Sequence, residues 1–165
     1  PQFHAPADTV ALYEDVGGLV HPEAAIAAHL RAAAAAGATL QFEEPVLAWE
    51  AAPSGDRVRV TTPRAAYEAE RLVIAAGAYA PALLADLGLP LTVQRNVLYW
   101  FAPTRERALF TPERCPIFIW EADGAPTAYG FPELPGAPGG VKVAFHGHGP
   151  LTTPAQIDRA VHPHE

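Results

Sequence analysis

The chain has 165 residues, half apolar and 18% charged, which suits one domain with a sizeable core or pieces of two and excludes a disordered chain. Its net charge of -7, from 11 basic and 18 acidic residues with no basic cluster, sets nucleic acid aside as a partner. No apolar run approaches the ~20 residues of a membrane span, no signal peptide is evident, and the lone Cys115 cannot form an internal disulfide, so a cytoplasmic protein without membrane contact is expected.

Residues 1–20 read as loop, with Pro1, Pro6 and Gly17-Gly18 and little periodicity. His21-Pro22-Glu23 opens a helix: proline fits the first helical position and an early glutamate fits the helix dipole. Alanine-rich sequence with Ile26 and Leu30 on one face continues to Ala36, and Gly37 supplies the stop. A short strand is expected at Thr39 to Glu43, followed by meander strands at Val46 to Ala51, Val58 to Thr62 and Ala66 to Glu70. Val58, Val60 and Thr62 alternate with Arg57, Arg59 and Thr61, the period of a half-exposed antiparallel strand. Leu72-Val73-Ile74-Ala75 is a continuous apolar run, as for a strand buried on both faces. It ends in Ala76-Gly77-Ala78, before a helix near Pro81 to Leu87.

Beyond Gly88-Leu89-Pro90 the texture changes. Val93 to Ala102, Ile117 to Glu121, Thr127 to Phe131 and Val141 to His146 are aromatic and β-branched strand candidates, parted by proline- and glycine-rich turns. A last helix is expected at Pro154 to Ala160, with Thr153 as its cap. The fold class is α+β in two regions: helix, strands and meander over residues 1–89, and a largely antiparallel sheet over residues 90–165.

Tyr129-Gly130-Phe131-Pro132, followed by Lys142-Val143-Ala144-Phe145-His146, puts a phenol, an ammonium and an imidazole on two strands that read as neighbours. Taken as residues alone, Tyr129 could be an ordinary strand tyrosine with a satisfied hydroxyl, and Lys142 could simply point to solvent. His146 lies four residues after Lys142, so strand alternation sets both on one face with Ala144 between them. His148 shares that parity, but no further ligand lies nearby and no metal site is expected. Cys115 reads as a packing residue without a histidine partner, Arg95 as a strand-start arginine, and Glu121 and Asp123 as turn residues.

In order and spacing, several segments resemble the sarcosine oxidase and N-methyl-amino-acid (N-methyltryptophan) oxidase family, a flavin-dependent branch of the D-amino-acid-oxidase-like FAD-dependent oxidoreductases. They are Pro1-Gln2-Phe3, Gly17 to Glu23, Gly37-Ala38-Thr39, Val46, Val73 to Tyr79, Val93-Gln94-Arg95-Asn96 and Tyr129 to His146. The resemblance implies that residues 1–89 are part of an FAD-binding domain of glutathione-reductase-like fold, and residues 90–165 part of a substrate domain. It implies FAD as cofactor, with Val46 presenting its backbone to the adenine and Ala76-Gly77 lying close against the cofactor, as small residues allow. A core valine and a helix-entry turn are the alternative readings of those positions. It further implies that Tyr129 lines the substrate pocket, that Lys142 beside the flavin assists electron passage to oxygen, and that His146 borders the substrate.

The implied reaction oxidises sarcosine or another small N-methyl amino acid, with a hydride passed to flavin and O2 reduced to H2O2. The family's Gly-x-Gly-x-x-Gly fingerprint does not occur, so no pyrophosphate-binding helix terminus is supplied. With no methionine and an opening at Pro1, the chain is expected to be an internal fragment that also lacks the C-terminal part. It should be inactive alone and prone to self-association through the face left by the missing domain. The alternatives are a flavin dehydrogenase or glycine-oxidase-like enzyme, and a truncated binding or interaction domain without catalysis.

Overall fold

The computed structural model describes residues 3–136 and 139–163, which are mixed α/β with antiparallel sheets. The chain forms two compact units, one of Val20–Val93 with Thr153–Ala155, the other of Pro1–Leu19, Gln94–Thr152 and Gln156–Glu165. No helix among the described residues is long and apolar enough to cross a membrane.

The first unit opens with α1 (Pro22–Ala35), with proline at its start and Glu23 in its first turn. Gly37 takes φ +90°, and the Gly37 and Ala38 N–H groups donate to Ala34 O and Ala33 O, each at 3.0 Å. That is a Schellman stop, in which a left-handed residue satisfies the last helical carbonyls. Strands β1 (Ala48–Ala51), β2 (Val58–Thr61) and β3 (Ala66–Ala69) form an antiparallel meander. Trp49, Val60 and Tyr67 fall in one cross-strand row. The Trp49 indole donates to Leu83 O at 2.7 Å, tying the meander to the short helical stretch that follows it.

Three expectations fail in instructive ways. Residues 39–43 form no strand; Glu43 sits at φ +53° and breaks extended geometry there. The run Leu72 to Ala75 is unpaired among the described residues, with Val73 88% exposed. A strand exists only as a pairing, and nothing in this unit supplies the neighbours that so apolar a run requires. The helix expected at Pro81 to Leu87 is broken into a 3-10 turn (Gly77–Tyr79), a helical turn α2 (Ala80–Leu83) and a second 3-10 turn (Ala85–Leu87).

The second unit is built on a four-stranded antiparallel sheet in the order β5-β8-β7-β6, from β5 (Leu98–Phe101), β6 (Phe118–Trp120), β7 (Ala128–Phe131) and β8 (Val141–Phe145). The central strand β8 carries the buried residues Val141 and Ala144. The long strand expected from Val93 to Ala102 is split into β4 (Val93–Gln94), which pairs with β9 (Leu151–Thr152), and β5. Arg95 causes the split: its N–H donates to Pro150 O at 2.9 Å, and its buried guanidinium donates to the carbonyls of Asp158 and Ala160. The helix expected at 154–160 does not form; there the Asp158 carboxylate accepts the Ala160 N–H at 2.8 Å, a donor that a helix would pair with the carbonyl four residues back.

Candidate functional site

Because β8 lies between β5 and β7, Lys142 is flanked across the ladders by Trp100 on one side and Phe131 on the other. Its ammonium lies 4.8 Å from the Phe131 ring centre, 5.6 Å from Tyr129 and 5.9 Å from Trp100. Such contacts contribute about 0.5–1 kcal/mol when exposed and ~2 kcal/mol when dry. Among the described residues Lys142 makes no ion pair. Its charge is therefore held by π faces, not neutralised by a carboxylate, and remains available to a ligand. The Tyr129 ring stands edge-on to Phe131 at 6.0 Å and to His146 at 6.3 Å. The His146 N–H donates to Thr127 O at 2.8 Å, extending the β7–β8 pairing one residue past the strand. Tyr129, Lys142 and His146 thus share one face of the sheet, beside the exposed side chains of Trp100 and Ile119.

The opposite face is apolar. A cavity of about 400 Å³ there is lined by residues including Phe101, Phe110, Cys115, Phe118, Trp120 and Val143. Cys115 is 2% exposed and burial raises its thiol pKa, which suits packing and opposes nucleophilic use. The glycine of Tyr-Gly-Phe-Pro now has a physical reason: a side chain at Gly130 would run into the Phe118 ring that covers it. Past Phe131 the chain is tied back by Glu133, which accepts from the Arg107 guanidinium and from the Gly140 N–H at 3.1 Å.

Tyr99 on β5 has a buried hydroxyl with no hydrogen-bond partner among the described residues. A buried orphan hydroxyl costs about 1–3 kcal/mol. Tyr99→Phe should therefore leave the melting temperature unchanged or raise it by about 2–4 °C. A clear drop on thermal unfolding would show that the hydroxyl is satisfied.

The remaining candidates lie in the first unit. Val46 precedes β1 and is 43% exposed, so it is not a core valine. Ala76 is half-buried and caps the turn opened by Gly77, which takes φ +53° with nothing within 4 Å of where a Cβ would stand. That bare backbone admits close approach by a ligand. Nearby, the Glu44 carboxylate accepts from Thr62 Oγ1 at 2.6 Å and Tyr67 Oη at 2.8 Å, with Arg64 at 3.9 Å. The Thr62 and Tyr67 hydroxyls and, more weakly, Arg64 lower the Glu44 pKa. Its stabilising contribution is present above the ordinary carboxylate pKa and is lost as pH falls through the lower, folded value.

The chain belongs to the FAD dependent oxidoreductase (DAO) family, whose model matches residues 2–161. It is 50% identical over its whole length to a monomeric sarcosine oxidase of Streptomyces avermitilis, of which it covers 42%. It is 31% identical over 80% of its length to an N-methyl-L-tryptophan oxidase of Salmonella heidelberg, of which it covers 34%. The chain thus spans about two-fifths or less of the length of these curated relatives. Among solved structures, NikD, an unusual amino acid oxidase essential for nikkomycin biosynthesis, matches with TM-score 0.49 and 26% identity over 84% of this chain and 35% of that one.

The residues present fit the family's cofactor. In one unit the Lys142 cation, without an ion pair among the described residues, sits on aromatic faces that suit a planar ring gaining negative charge; in the other, the open backbone at Gly77 suits close contact. Sequence reasoning missed Trp100 and Phe131 as the neighbours of Lys142, and Glu44 altogether. The first two follow once the β5–β8–β7 register is known; nothing local marks Glu44.

Proposed function

We propose that this chain is part of a cytoplasmic FAD-dependent oxidase of a secondary amine, sarcosine or another small N-methyl amino acid. The observation that carries this reading is the Lys142 ammonium, caged by Phe131, Tyr129 and Trp100 with no counter-ion among the described residues, on the sheet face that also bears His146. Bound FAD would take a hydride equivalent from the carbon next to the amine nitrogen and pass the electrons to O2, giving H2O2. Residues 1–89 would contribute part of the FAD-binding domain and residues 90–165 part of the substrate domain. Val46 would offer backbone to the adenine, while Ala76 and Gly77 would lie against the cofactor. The Tyr129 hydroxyl would orient the substrate and the His146 imidazole would border its amine. Lys142 would supply positive charge where negative charge develops in the oxygen step.

The exposed Val73 and Ile119 side chains support a further expectation, that the chain by itself self-associates. The test is turnover. In a flavin-loaded protein of the relatives' length containing this chain, sarcosine or an N-methyl amino acid should consume O2 and release peroxide. Flavin reduction without oxygen use would favour a dehydrogenase, and no reduction by any such amine would remove the reading.

A further inference from the structure

We infer that Glu44 is a positioning residue for the cofactor-facing segment at Val46, held in place by a polar clasp on the meander. The inference rests on the cofactor reading of Val46 given above. Val46 itself is exposed, yet the residues on either side of it are tied down. On its N-terminal side the Glu44 side chain is only 2% exposed, and its Oε1 accepts from both Thr62 Oγ1 and Tyr67 Oη. Thr62 Oγ1 in turn accepts the N–H groups of Ala65 at 3.0 Å and Arg64 at 3.2 Å, so the carboxylate grips the β2–β3 turn. Arg64 closes the clasp by donating to Glu43 O at 3.2 Å. On the C-terminal side the Leu47 N–H donates to Thr61 O at 2.8 Å.

Glu43 adds a second, independent sign. It is one of two non-glycine residues at positive φ among those described, at +53°. Such a conformation is strained and persists only where its surroundings over-determine it. A strained residue, a buried carboxylate with two hydroxyl donors, and an exposed valine occur within four positions. The arrangement fixes solvent-facing backbone in advance, so a ligand that bonds to it is spared the ordering cost.

The experiment compares FAD and ADP binding to the flavin-free form of a protein of the relatives' length containing this chain, by calorimetry for wild type, Glu44→Ala, Glu44→Gln and Tyr67→Phe, with amide hydrogen exchange read at Val46 and Leu47. Glu44→Ala should weaken both ligands about tenfold and speed exchange at Leu47 while α1 exchanges as before. Glu44→Gln keeps an acceptor oxygen and should recover most of the affinity, and unchanged exchange across α1 separates positioning from a general loss of stability. Should Glu44→Ala fail to fold, Tyr67→Phe, which removes one donor, should still weaken binding about threefold. Unchanged affinity and exchange in the variants, with wild type binding normally, would overturn the positioning role and leave the cofactor reading intact. Failure of wild type to bind either ligand would instead remove the cofactor reading of Val46, and the role of Glu44 with it.

Discussion

Lys142→Met is expected to slow oxygen use by the flavin-loaded enzyme about 100-fold, while anaerobic reduction by substrate stays near the wild-type rate. The reasoning is electrostatic. Preorganised charge aimed at developing negative charge is worth about 2.7–4 kcal/mol in a site that excludes water. Lys142 is suited to the task because its partners are the rings of Phe131, Tyr129 and Trp100, which orient a cation without cancelling it. Methionine keeps the unbranched shape and makes favourable sulfur–aromatic contacts of its own. The β5–β8–β7 ladders should therefore survive, and a melting curve close to wild type would confirm that the loss is one of charge. Stopped-flow reoxidation is the measurement. A wild-type oxygen rate in Lys142→Met would refute the role.

Gly130→Val should destabilise the unit that carries the sheet by about 3 kcal/mol or more, with the sheet-face residues losing their register. A Cβ at this position would stand 2.4 Å from Phe118 Cζ and 2.7 Å from Lys142 O. The ring could swing aside, at the expense of its packing over the strand. The carbonyl cannot, because it belongs to the backbone of the central strand. Relief must come from moving β7 away from β8, which displaces Tyr129 and Lys142 together. Gly18 is a fair control: nothing lies within 4 Å of its missing Cβ, and Gly18→Ala should be neutral. Denaturant unfolding of the two variants decides the matter, and a Gly130→Val stability within ~0.5 kcal/mol of wild type would contradict the packing argument.

What could be read from sequence was whatever depends on near neighbours. Pro22, Glu23 and Gly37 bracket α1 because caps are local chemistry, and Val58, Val60 and Thr62 mark β2 because alternation needs only one strand. Some failures turn on partners distant along the chain, while others are local, as where Glu43 at φ +53° breaks the strand expected at 39–43. Leu72 to Ala75 has the composition of a buried strand but no neighbour among the described residues to pair with. The 154–160 segment has a cap and helix formers, yet the Asp158 carboxylate takes the Ala160 N–H that a helix would use. The candidate site divides the same way. Parity sets Lys142 and His146 on one face, whereas Trp100, 42 residues before Lys142, becomes its neighbour only through the register of β5 on β8.

The strand order β5-β8-β7-β6 has a consequence for biosynthesis. A ribosome delivers β5, then the β6–β7 pair, and only afterwards the strand that joins them. At about 5–20 residues per second, several seconds of synthesis separate β5 from its partner. Until Val141–Phe145 emerges, β5 has an open edge on the side β8 will fill, and so does β7. The nascent chain spends that interval with two adhesive edges, the state in which chaperones bind and aggregates begin.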